Sequence, residues 1–163
     1  MPLTTYTAGQ VLTAASLNSN FSFAAKVAQV VNATYSTDTS TTSTSFVTTG
    51  LSASITPTSN TSKILVMANT FGQQISAAAL VYFTLFRGTV AGTNLATGAT
   101  PFMSGGYSGN GDLYFTVACQ FLDSPATTSA TTYTLGFRAG ASTSCHTQKN
   151  GATATMTLME ILA

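Results

Sequence analysis

Charge is what this sequence has least of. Five Lys and Arg residues and four Asp and Glu make up 6% of 163 residues, against roughly a quarter in ordinary soluble proteins. The five cations, Lys26, Lys63, Arg87, Arg138 and Lys149, are scattered, and the net charge is +1. That excludes the clustered cationic footprint needed to neutralise phosphates, so nucleic acid is not an expected partner. Little self-repulsion remains, and a chain near zero net charge tends to associate.

Long apolar runs are missing as well. None approaches the ~18 residues that cross a bilayer, so membrane insertion is not expected. The N-terminus lacks the basic region and unbroken apolar stretch of a secretory signal, because Thr, Ser, Gln and Asn interrupt it, and use without export is the expectation. Cysteine is scarce too: Cys119 and Cys145 cannot build a disulfide framework. Cys119, in "LYFTVACQFL", shares an alternating face with Leu113, Phe115, Val117 and Phe121, which predicts burial as a small hydrophobe.

Catalytic chemistry is thinly supplied. The acids are Asp38, Asp112, Asp123 and Glu160, two or three of them in predicted loops, whereas glycan hydrolysis needs two carboxylates close together. His146, the sole His, follows Cys145, but adjacent residues of an extended chain point to opposite sides, and no nearby acid is expected to orient the imidazole. One His and one Cys per chain are too few for a metal unless symmetry-related copies around an axis supply the rest, and His146 is expected in a loop. The "GGYSGNG" stretch has no Lys and no strand-to-helix setting, unlike a phosphate loop. Neither an enzyme nor a cofactor is expected. Arg87 and Arg138 stand out on uncharged strands and are read either as exposed or as ion-paired with Glu160 or Asp123.

What is present is alternation. Segments rich in Val, Ile, Thr, Tyr and Phe, separated by Gly, Pro, Ser and Asn, predict strands at Ala28–Tyr35, Thr44–Ile55 with a bend at Gly50, Ser62–Phe71 and Leu80–Gly88. They continue with a short piece at Asn94–Ala96, then Asp112–Leu122, Thr131–Ala139 and Ala152–Leu162. Each has one apolar face to bury, so a two-sheet sandwich is expected. Ser36–Ser45 and the Gly-rich Gly98–Asp112 are expected loops, the latter bearing Phe102, Met103 and Tyr107.

Ahead of this lies "TAGQVLTAASLNSNF", Thr7–Phe21. Thr13 suits an N-cap, Ala14, Leu17, Phe21, Ala24 and Ala28 recur at helical spacing, and Leu12 can staple onto Leu17. A helix of about three turns is marginal in water unless its apolar stripe is packed. Leu12, Leu17 and Phe21 are therefore expected to anchor the chain. Residues 1–27 read as an arm and helix, and 28–163 as the sandwich.

The same stretch resembles a short N-terminal motif of tail-fibre, head-fibre and related virion proteins of tailed bacteriophages, matched at Gly9, Leu12, Thr13, Ala14, Leu17, Asn18 and Phe21. The body, in "ATYSTDTSTTSTSFVTTGLSASITPTSNTSKILVMA", "LDSPATTSATTYTLGFR" and "MTLMEI", is similar to small phage structural domains. The resemblance implies an all-β jelly-roll sandwich of the tumour-necrosis-factor or C1q type, preceded by a short α-helix and assembled as a homotrimer. It also implies a non-enzymatic virion component, assembled in the host cytoplasm. This would be a capsid decoration or cement protein, or a short fibre subunit, docked through its N-terminal helix on a capsid, portal-vertex or tail component. In that setting Tyr114, Thr116, Ala118 and Gln120, on a predicted central strand, are candidates for the threefold axis. The alternative is a receptor-binding tip that recognises a host surface glycan through Phe102, Tyr107, Asp112, His146 and Lys149 in the loops Phe102–Asp112 and Ser142–Asn150.

Overall fold

Alternation in the sequence becomes two antiparallel sheets in the computed structural model, which describes residues 5–11, 13–18, 26–75 and 79–163. The strands are β1 Val27–Tyr35, β2 Thr39–Thr41, β3 Val47–Ile55, β4 Lys63–Gln74, β5 Ala79–Arg87, β6 Thr93–Asn94, β7 Ser104–Ser108, β8 Leu113–Asp123, β9 Thr131–Ala139, β10 Cys145–Thr147 and β11 Ala154–Ile161. In the first sheet β1 pairs β11, β11 pairs β4 and β4 pairs β8, while β10 and β2 extend the row beside the far end of β4. In the second, the order is β3-β9-β5, and β7 and β6 share the other side of β5.

The pairings nest: β1 with β11, β3 with β9, β4 with β8, and β5 with β7. A long hairpin rolled into two four-stranded layers gives this pattern, and it is the jelly roll. Between the layers sit Leu51, Ile55, Ile64, Val66, Phe83, Leu85, Val117, Tyr133, Leu135, Phe137, Met156 and Leu158. Phe83 stacks on Phe137 with ring centroids 5.8 Å apart. Removing each such side chain from water contributes roughly 1.5–3 kcal/mol. The predicted inward set of β9, Tyr133, Leu135 and Phe137, is fully buried.

Three expectations need correction. Short strands β2, β7 and β10 form in stretches expected to be loops. Their Ser-, Thr- and Gly-rich sequences carry no strand signal, and they are extended because each docks on a ready edge: β10 on β4, β2 on β10, β7 on β5. Second, among the described residues β8 pairs only with β4, so it is an edge strand and not a central one. Third, Thr134 and Gly136 on the outward side of β9 are covered, since Thr134 donates to the Gly88 carbonyl at 2.7 Å and the Phe86 ring lies over Gly136.

The bend foreseen at Gly50 is a break in the β3–β9 register between Thr48 and Ser52. Gly50 has φ +89°, a conformation that favours glycine, and a Cβ there would collide with the Tyr35 ring. Gly50→Ala should therefore destabilise the fold by about 1–3 kcal/mol, read as a lowered unfolding temperature in circular dichroism. An unchanged temperature would mean that Tyr35 swings away at no cost.

Candidate functional site

The N-terminal segment is built as its local sequence dictates. Thr13 Oγ1 accepts the Ser16 N–H at 3.2 Å, and the Leu17 N–H bonds the Thr13 carbonyl at 3.0 Å, capping a helical turn over residues 14–18. Leu12 and Phe21, and with them the proposed staple and most of the three-turn helix, lie outside the described residues. Leu17 is 41% exposed and Val11 82% exposed.

Register places the outer face of the first sheet in rows. Val30, Met159, Leu65 and Leu122 are successive cross-strand partners on β1, β11, β4 and β8. They form an apolar band, with Val30 and Leu122 exposed at its ends. Toward the other end come the rows Asn32, Thr157, Met67, Gln120 and then Thr34, Thr155, Asn69, Ala118. Asn32 donates to Thr157 Oγ1 at 3.0 Å, so even the amides are partly satisfied by neutral hydroxyls. Between Lys63 and the far end of the sheet, the outward strand positions carry no charge. An open hollow of about 350 Å³ is lined by Met67, Asn69, Ala118, Cys119 and Gln120. Tyr114, Thr116 and Ala118 all stand on this face. The Tyr114 ring stacks near Phe71, centroids 5.8 Å apart, and its hydroxyl accepts from Gln73 Nε2 at 2.9 Å.

The five candidate ligand residues do not meet at one place: Asp112, His146 and Lys149 gather at the end of the first sheet, and Phe102 and Tyr107 lie on the second. Phe102 and Tyr107 belong to the second sheet, where Phe102 lies beside Tyr82 with ring centroids 4.6 Å apart and Tyr107 pairs across from Leu80 on β5. Asp112 accepts from Gln73 Nε2 at 3.2 Å at the end of the first sheet. There Ser40, His146, Gln73 and Tyr114 form a row across β2, β10, β4 and β8. His146 lies on a strand, not in a loop, and an acid does orient it: Nδ1 is 2.9 Å from Asp38 Oδ1. Asp38 Oδ2 also takes Lys149 Nζ at 3.1 Å. Burial opposes ionisation of Asp38, but bonding from His146 and Lys149 outweighs it and holds its pKa below the ordinary value. No local pattern could foresee this pair, because 108 residues separate Asp38 from His146. Ser144 Oγ stands 3.5 Å from His146 Nε2, beyond the roughly 2.6–3.2 Å of a working nucleophile–base pair.

Cys145 and His146 do point to opposite sides, the thiol inward and fully buried. Burial pushes the Cys119 thiol up to about 12 and Cys145 to about 11, which keeps both protonated and unreactive. The four acids are held by different neighbours: Asp38 by His146 and Lys149, Asp112 by Gln73, Asp123 by Arg87 and Tyr133, and Glu160 by Gln29 and Thr58. The ion pair considered for the arginines exists for Arg87, which reaches Asp123 at 3.2 Å. Arg138 pairs with neither Asp123 nor Glu160. Its guanidinium lies 4.3 Å from the Tyr82 ring centroid and 5.2 Å from that of Phe46. Among the described residues there is no cluster of three His, Cys, Asp or Glu side chains suited to a metal ion.

No family profile matches the chain, and no curated protein matches it. Solved structures with a similar course of the backbone come from infectious bursal disease virus. The Gx strain structure is 11% identical with a TM-score of 0.49, over 81% of this chain and 32% of that one. The VP2 subviral particle is 13% identical with a TM-score of 0.45, over 97% of this chain and 37% of that one. The T13 viral particle is 15% identical at 0.45, over 83% of this chain and 36% of that one. The chain spans about a third of the length of these proteins. So distant a likeness carries no functional argument.

Proposed function

We propose that this chain is a non-enzymatic structural component of a bacteriophage virion. It assembles as a homotrimer, and its N-terminal arm, residues 1–27, docks on a capsid, portal-vertex or tail protein. Capsid decoration or a short fibre are the two forms of this role. The observation that supports it most is the apolar row Val30, Met159, Leu65 and Leu122, set in a four-stranded face whose outward positions are uncharged between its ends. An uncharged sheet face of this kind is desolvated at low cost when copies pack against it, because no charge has to leave water. The exposed Leu17 and Val11 fit an arm whose apolar side is covered by another virion protein. The similarity of "TAGQVLTAASLNSNF" to the fibre motif supports the same reading.

Light scattering of the full chain is expected to give three times the monomer mass at micromolar concentration. Leu122→Glu puts a carboxylate into the apolar row at an exposed edge position, so the strands should survive while the trimer is lost, its affinity falling by at least about a hundredfold. A wild-type monomer at that concentration removes the trimer. Virions that still incorporate a chain lacking residues 1–26 remove the anchor. Copies per particle separate the two forms, since hundreds mean decoration and a few dozen or fewer mean a fibre.

A further inference from the structure

We propose that the outer face of the second sheet binds an acidic saccharide, with Arg138 pairing the sugar's carboxylate and the rings of Tyr82 and Phe102 receiving its apolar face. This goes beyond the structural role and does not depend on it.

The face is assembled by register. Arg138 on β9 lies directly across from Tyr82 on β5, whose other cross-strand partner is Gly105 on β7. Glycine there leaves no side chain beside the Tyr82 ring, and Phe102 reaches that ring instead. Gly105 and Gly140 must both stay bare: a Cβ would come within 2.6 Å of the Val81 carbonyl oxygen in one case and of Leu80 Cβ in the other. The result is a shelf in which Phe46, the Arg138 guanidinium, Tyr82 and Phe102 follow one another at ring distances of 5.2, 4.3 and 4.6 Å. Tyr107 is 57% exposed and Phe102 41% exposed on the same sheet.

Arg138 supplies the charge. Among the described residues its hydrogen bonds are two long ones from Nη1, to the Thr44 carbonyl at 3.4 Å and the Ala139 carbonyl at 3.3 Å. Among the described residues no carboxylate pairs with it, since all four acids are held elsewhere. A guanidinium has five donors in a planar fork that matches a carboxylate, and stacking between rings presets its orientation. The occupant is therefore an anion. One cation is too few for a polyphosphate backbone. The side chains of an acidic peptide would need pockets to anchor them, whereas a sugar ring carrying one carboxylate matches aromatic rings beside one guanidinium.

Titration of the full chain by calorimetry and NMR against sialyllactose, oligogalacturonate, lactose and an oligoglutamate peptide decides this. At least one acidic saccharide should bind with a dissociation constant near or below about 1 mM, at least about tenfold more tightly than lactose. Arg138→Lys keeps the charge but loses the stacked fork, and should weaken binding by about tenfold or more. Phe102→Ala, at an exposed ring outside the core, should weaken it about fivefold without lowering the unfolding temperature, and it serves as the deciding variant if Arg138→Lys does not fold. The proposal is overturned by no binding of either acidic saccharide, by lactose or the peptide binding as tightly, or by affinity that survives Phe102→Ala unchanged.

Discussion

Asp123→Ala is expected to cost the fold about 3 kcal/mol. Asp123 closes β8 in the first sheet and is buried, yet it is bonded by two residues of the second sheet. Tyr133 donates its hydroxyl to Oδ2 at 2.8 Å, and Arg87 Nη1 reaches Oδ2 at 3.2 Å and Oδ1 at 3.3 Å. Arg87 and Tyr133 are themselves cross-strand partners on β5 and β9, so one carboxylate fastens both strands to the opposite layer. Without it the Tyr133 hydroxyl, in a fully buried side chain, loses its acceptor, and a buried donor left unpaired costs about 1–3 kcal/mol. Arg87 loses its counter-ion as well, but its side chain is 32% exposed. Water takes up part of that charge and keeps the total below the upper end for buried pairs. Burial and the neighbouring carboxylate also hold the Tyr133 pKa well above its ordinary value, so the phenol stays a donor at any pH the fold meets. Asp123→Asn retains an acceptor oxygen and should cost about half as much. Urea unfolding of the three proteins measures this, and a loss under about 0.5 kcal/mol for the alanine variant would show that the carboxylate does not join the sheets.

Glu160→Gln should cost about 2 kcal/mol at neutral pH and should also flatten the acid side of the stability profile. Glu160 is fully buried on β11. It is held by neutral donors: Gln29 Nε2 on β1 at 2.7 Å, and the Thr58 N–H at 2.7 Å and Thr58 hydroxyl at 2.8 Å from the β3–β4 loop. Burial alone would raise its pKa, but these bonds favour the charged form more strongly, and the value falls to about 2 from 4.5. In the unfolded chain the group takes up a proton near pH 4.5, while in the fold it stays ionised until about pH 2. Its contribution is therefore complete above pH 4.5 and disappears as the pH falls toward 2. Glutamine presents an amide N–H₂ where donors converge, so it is worse than isosteric, and its variant has no such titration. Thermal melts between neutral pH and acid check both points. A variant whose melting temperature keeps falling in parallel with the wild type would assign the acid loss to other carboxylates.

Glu160 illustrates why part of this molecule could not be read from the chain. Alternation puts Glu160, the last polar residue of β11, on the inward face with Ala154, Met156 and Leu158, but nothing local shows what would hold a charge there. Its donors come from β1 and the β3–β4 loop, each more than a hundred residues away in sequence, which bring Gln29 and Thr58 to it. Asp38 and His146 meet for the same reason, and β2 and β10 are strands only because each finds an edge. Arg138 did carry a signal, a cation on an uncharged strand, but its partners are rings and not an acid.

What the sequence determined by itself was everything that depends on near neighbours. Alternation set the strands and their inward residues such as Tyr133, Leu135 and Phe137, Thr13 set the helix cap, Gly50 set the bend, and scarcity of charge set a neutral surface. Only the tertiary structure decided which strands pair, that β8 is an edge, that one face gathers Val30, Met159, Leu65 and Leu122 while the other gathers Tyr82, Phe102 and Arg138, and where each acid finds its donors. The physical reason is range. Side-chain direction along a strand follows from the two-residue period of the backbone, whereas a jelly roll pairs its first strand with its last, and the partner across a sheet is written nowhere near the residue it meets.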